Sequence, residues 1–228
     1  MWNLPAPPGF VGFDEQRPMR FYRRHLPHWR QEGVTYFVTF RLADSLPQSK
    51  LRELAALRDE WLRKTKVGQS TALSHDSEFA RATMERVERW LDEGSGCCAL
   101  QDLAAAQEVK RCLLHDDGKR CDVFAFVVMP NHVHLLSRPH SDVEYPLERL
   151  EQAWKSFSAR GINRLRRASG TLWQNESFDT IVRDEEHLFR CLQYIGSNPH
   201  RAGLRADKCL RYVRDDWKRL GWGFQDNS

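Results

Sequence analysis

The 228-residue chain has no apolar run long enough to span a bilayer; the longest, such as Val123 to Met129, are short. Its first residues lack the basic-then-apolar plan of a secretory signal. No Gly-x-x-x-x-Gly-Lys-Ser/Thr loop occurs, so nothing marks a site for nucleoside triphosphates. The six cysteines, Cys97, Cys98, Cys112, Cys121, Cys191 and Cys209, include no Cys-x-x-Cys pair. That spacing suggests neither a zinc ribbon nor a disulfide framework, and reduced thiols in a cytoplasm are the simpler account.

A strong excess of one charge is missing too. Net charge is +4 with a pI near 8.8, which is consistent with nucleic acid without requiring it. The distribution says more. Residues 1–41 carry six Lys/Arg against three acids, residues 146–228 fifteen against eleven, and the middle fourteen against seventeen. Both ends are positive and the middle is not, although scattered cations that merely solvate a surface give the same counts.

What is present centres on Val127-Val128-Met129-Pro130-Asn131-His132-Val133-His134-Leu135-Leu136. Pro fixes φ and Asn tolerates unusual backbone angles, and both flanks are apolar and β-branched, so the stretch reads as an antiparallel hairpin. A strand restarting at His132 puts His132 and His134 on one face and Val133 and Leu135 on the other. Two adjacent imidazoles are either a polar pair of satisfied histidines or two ligands for one metal ion. A second stretch bears on the choice. In Gln193-Tyr194-Ile195-Gly196-Ser197-Asn198-Pro199, Tyr194 and Asn198 stand four apart, on one face of a helix. A nucleophile and an oxygen ligand can thus arrive together.

The rest supplies a frame. Residues 1–20 are Pro- and Gly-rich with no apolar period and read as an extended or disordered arm. Arg20-Phe21-Tyr22-Arg23-Arg24-His25 interleaves aromatics with cations, as a DNA contact or as a docking segment. Gly33 to Leu42 reads as a strand, Gln48 to about Lys66 and Ser77 to Asp92 as helices, and Asp102 to His115 as another helix. Strands Arg120 to Met129 and His132 to Arg138 form the hairpin. Pro146 to about Ala168 is a helix with Leu147, Leu150, Trp154 and Phe157 on one stripe; its other positions carry cations, including Lys155, Arg160, Arg164 and Arg167. Thr171 to Val182 reads as a short strand with irregular ends, in which Trp173, Gln174 and Asp179 fix the turn ahead of the last helix. Asp184 is the expected N-cap of that helix, and Pro199 is expected to end it at Asn198. Arg201 to Ser228 alternates basic and aromatic residues, as a lid or a DNA contact. The remaining histidines, including His28 and His187, show no selecting pattern.

The Met-Pro-Asn-His-Val-His turn, with Trp173-Gln174, Phe178-Asp179, Arg183-Asp184, Tyr194-Ile195, Asn198-Pro199 and Ala202-Gly203-Leu204, resembles the REP-associated tyrosine transposases, in the single-tyrosine branch of the HUH endonucleases. The resemblance spans roughly Leu26 to Leu204. It implies an α+β ferredoxin-like sandwich whose central antiparallel sheet carries the His-x-His motif: an arm at 1–25, a catalytic domain at 26–204 with a helical insertion at about 67–100, and an extension at 205–228. It implies Tyr194 as a nucleophile that forms a 5′-phosphotyrosine. His132, His134 and Asn198 would be ligands of magnesium or manganese, although some relatives have Gln where Asn198 stands. Single-stranded or hairpin DNA is the implied partner, gripped by Arg20, Arg23, Arg24, Lys155, Arg160, Arg164 and Arg167. The protein would be a monomer or homodimer, cytoplasmic and nucleoid-associated. Two alternatives stay open: a catalytically silent DNA-binding regulator, and a phosphodiesterase in which water attacks.

Overall fold

A computed structural model describes residues 4–66, 72–141 and 145–225. A hairpin of β1 (Arg20–Arg23) and β2 (Pro27–Arg30) leads into β3 (Tyr36–Arg41). Helices α1 (Gln48–Lys66), α2 (Ala72–Asp92) and α3 (Leu103–Leu114) precede the central pair β4 (Cys121–Val128) and β5 (His132–Pro139). Then come α4 (Leu147–Leu165), β6 (Phe178–Ile181), α5 (Glu185–Arg201), β7 (Leu210–Val213) and α6 (Asp215–Arg219).

The main sheet has the order β6-β3-β5-β4-β7, antiparallel throughout. In β3, β4, β5 and β6, taken as strands one to four, that order is 4-1-3-2, the ferredoxin-like arrangement, with β7 added along β4. The expected fold class is therefore present. Strand period divides the core in two. Val133 and Leu135 join Val38, Phe40 and Val123 under α3 and α4, whereas Leu136, Phe37 and Val127 meet Leu188, Leu192 and Ile195 of α5. His132 and His134 are in step with Leu136, so they face α5.

Three expectations need correction. The Pro-rich start is extended but docked: Trp217 and Trp222 donate indole N–H bonds to the carbonyls of Pro8 and Pro5, and Thr35 N donates to Val11 O. Two buried tryptophans needing acceptors hold it to the body. The C-terminal stretch is not a lid over the body but part of it, because β7 completes the sheet and Trp217 and Trp222 lie in the α5 core. Helix α5 does not stop at Asn198; it runs through Pro199 to Arg201 and closes at Gly203, whose φ is +68°. Part of the expected insertion, residues 67–71, lies outside the described residues. Among the described residues no helix is long and apolar enough to cross a membrane.

A buried charge network fixes the β1–β2 hairpin. His28 contacts Asp179 at 2.6 Å and Glu176 at 3.1 Å, Arg30 pairs with Asp179 and Glu148, and Tyr22 donates to Glu148. Burial alone would depress His28; the carboxylates of Asp179 and Glu176 outweigh it and raise its pKa to about 9. A raised pKa stabilises the fold fully below about 6.5 and loses that contribution as pH rises through about 9. The stability difference between the wild type and His28→Gln, from urea unfolding, should therefore shrink by on the order of 3 kcal/mol between pH 6 and pH 10. A difference independent of pH would contradict the imidazolium assignment.

Candidate active site

The turn at Pro130-Asn131 is built to aim the histidines. Asn131 Nδ2 donates to the carbonyls of Leu91 and Ser95, both at 3.2 Å, and Leu100 N donates to Pro130 O at 3.0 Å. The end of α2 and the segment after it thus clamp the hairpin from outside the sheet. With Nδ2 engaged, the atom facing His132 Nδ1 at 2.8 Å is Asn131 Oδ1. Nδ1 must then carry the proton, and the lone pair of this neutral imidazole lies on Nε2. Directly across the ladder from His134 is Thr39, whose Oγ1 lies 2.8 Å from His134 Nδ1.

Both Nε2 atoms consequently point inward, 3.0 Å apart, and His132 Nε2 lies 3.3 Å from Asn198 Oδ1. All three side chains are buried, and Asn198 Nδ2 has no hydrogen-bond partner. Burial holds His132 near pKa 4 and pushes His134 well below the usual imidazole range. Two neutral nitrogens and an amide oxygen converging at these separations make a donor set that a divalent cation fits, since neighbouring ligands about 2.1 Å from an octahedral centre stand about 3.0 Å apart. Thr39 and Asn131 supply the outer contacts that keep such rings oriented.

Tyr194 lies one turn before Asn198 on α5. Its ring meets His134 edge-on with centroids 5.2 Å apart, and Phe37 stacks on His134 at 5.6 Å. Arg201 lies over the Tyr194 ring at 4.6 Å. The buried phenol oxygen has no hydrogen-bond partner. Burial, then the Glu88 carboxyl it faces, holds its pKa well above the ordinary phenol value, with Arg201 opposing. Burial raises Glu88 in turn to about 7, and its Oε1 is also unpartnered. At Gly196, between Tyr194 and Asn198, a Cβ would stand 2.7 Å from the Phe224 ring, so the C-terminal segment packs directly on this stretch of helix.

The structure brings His132, His134, Asn198 and Tyr194 together. It does not bring the seven cations there. Arg20, Arg23 and Arg24 are exposed on the hairpin, and Arg160, Arg164 and Arg167 are exposed on or just after α4, a helix that packs on the opposite sheet face. Lys155 is half-buried and donates to the carbonyls of Gln174 and Asn175. Arg24 and Lys155 do line one cavity of about 580 Å³ with Tyr22 and Glu148. Asp179 pairs with Arg30 of β2, and Trp173 donates to Ser158 Oγ of α4 at 2.9 Å, so both tie elements together rather than fixing the turn ahead of α5. Sequence reasoning missed Glu88, Phe37 and Thr39. Only Thr39 had a usable signal, because strand pairing sets a residue of β3 opposite each histidine. It also missed Arg41, opposite His132, a buried guanidinium bonded to Ser45 Oγ and Leu42 O with no ion pair among the described residues.

No family model matches the chain, and no curated protein matches it. A solved structure described as "Structure of the REP associates tyrosine transposase bound to a REP hairpin" aligns with 81% of this chain and 74% of that one, at 15% identity and a TM-score of 0.42.

Proposed function

We propose that the chain is a metal-dependent endonuclease and strand transferase acting on single-stranded DNA that carries a hairpin of the repetitive extragenic palindrome kind. The observation that carries this reading is the convergence of His132 Nε2, His134 Nε2 and Asn198 Oδ1 beside the phenol of Tyr194. His132, His134 and Asn198 would hold magnesium or manganese, which neutralises charge on a bound phosphate. Tyr194 Oη gives up its proton to solvent and attacks phosphorus; the new bond is phosphorus to phenol oxygen, the bond broken is phosphorus to the 3′ oxygen, and the departing oxygen takes up a proton from solvent. A 5′-phosphotyrosine and a free 3′-hydroxyl result. The adduct keeps the bond energy, so rejoining needs no nucleotide. Arg201, over the phenol ring, is placed to offset negative charge there.

The test uses a hairpin oligonucleotide library labelled at the 3′ end, incubated with the protein and Mn²⁺ and run on a denaturing gel. A labelled band at protein mass that EDTA prevents is the expected result. Cleavage without such a band would mean that water attacks, and binding without cleavage would identify a regulator.

A further inference from the structure

A cavity of about 850 Å³ lies between α2, β2, β6 and α5 and has Tyr194 in its wall. It takes no part in holding a metal ion: none of His132, His134 and Asn198 lines it. Its volume falls within the roughly 300–1,000 Å³ of ordinary ligand pockets.

We infer that this cavity is a nucleobase pocket, seating one unpaired base of a single-stranded DNA beside the phosphate offered to Tyr194. The position relative to that phosphate rests on the reading of Tyr194 as nucleophile. Three kinds of group argue for a base as the occupant. Trp29 and Phe178 present partly exposed rings, with the flexible Met84 between the elements, and flat aromatic walls stack any base. Glu88 is 8% exposed, faces the Tyr194 phenol and keeps Oε1 without a hydrogen-bond partner, so its carboxyl offers the pocket a polar edge that a ring or amino group can meet. Arg81 and Arg183 also line the cavity, and neither has an ion pair among the described residues, whereas Arg190 is tied to Glu186. Free cations beside aromatic walls match a sugar-phosphate chain attached to a stacked base; an apolar protein segment would leave them unanswered.

Continuity places the occupant. Phe37 stacks on His134, meets Tyr194 edge-on at 5.9 Å and also lines the cavity, so one ring separates the pocket from the imidazole pair. A phosphate held at the imidazoles therefore has its own or its neighbour's base within reach of Trp29 and Phe178. The exposed cations of α4 sit on the other sheet face and cannot make this contact, which leaves α2 and the β2 edge to wall the pocket.

The experiment is photocrosslinking of the full chain carrying Tyr194→Phe, which prevents turnover, to hairpin oligonucleotides with 5-iodouracil at one position at a time, followed by peptide mass spectrometry. The pocket predicts crosslinks to Trp29, Phe178 or Met84 from a position next to the bond that the wild type cleaves. It also predicts that Phe178→Ala lowers single-strand affinity about tenfold and removes the crosslink. Arg183→Ala, an exposed change, should weaken binding and make its salt dependence shallower by about one phosphate contact. Crosslinks confined to β1 or α4, no crosslink at all, or protection of these residues by self-association would each overturn the inference. Adduct formation by the wild type is scored separately: crosslinks into the cavity without an adduct uphold the pocket and sink the nuclease, and an adduct without those crosslinks does the reverse.

Discussion

Tyr194→Phe should abolish the covalent protein-DNA species, a loss of at least about three orders of magnitude in strand cleavage, while leaving the fold as stable as before or slightly more so. The two effects part because of one atom. The phenol oxygen is buried with no hydrogen-bond partner, and an unmet polar group in that setting costs roughly 1–3 kcal/mol, so its removal relieves the fold. A group that destabilises the resting protein is retained when it acts, and a stability-neutral, activity-null substitution is the expected signature. Thermal unfolding of both proteins, run beside the denaturing-gel assay, checks it. A variant that loses several kcal/mol of stability would show that Tyr194 holds the core together.

His134→Ala is the second large effect. It removes one of the two imidazoles, with cleavage expected to fall by two orders of magnitude or more, beyond the roughly 10–100-fold typical of losing an outer contact to a ligand. Here stability should fall as well, by about 2 kcal/mol, because the ring is fully buried between Phe37 and Tyr194. Thr39→Val gives the graded comparison: it deletes only the hydroxyl 2.8 Å from His134 Nδ1, and its loss should stay within the outer-contact range. Measuring cleavage across a Mn²⁺ titration separates the two, since an oriented but weakened site is recovered at higher metal concentration and a missing ligand is not.

The parts of this arrangement that were legible in the sequence are those with local causes. Pro130-Asn131 between apolar flanks announces a hairpin, period two puts both histidines on one face, and four-residue spacing puts Tyr194 and Asn198 on one side of α5. Where a local rule met a stronger tertiary one, it lost. Pro199 disfavours helix at Asn198, but Ala202 N still reaches Asn198 O and Leu204 N reaches Pro199 O, so the helix continues. The Pro-rich start has no period of its own and is held by indoles some two hundred positions away. His28 and Glu88 were invisible for a related reason. Each is a single residue whose meaning comes from distant partners: Asp179 and Glu176 for one, Tyr194 for the other. Where the cations lie relative to the imidazoles was not legible, because amphipathicity tells which side of α4 is wet, not which face of the sheet α4 covers.

In the proposed reaction the phenol of α5 and the imidazoles of β5 work on one phosphate. Tandem mass spectrometry of the protein digested after incubation with hairpin DNA and Mn²⁺ tests this most directly. A nucleotide 5′-phosphate attached to Tyr194, absent when His134 is Ala, is the predicted result. The same modification on another residue, or cut DNA with Tyr194 unmodified, would contradict it.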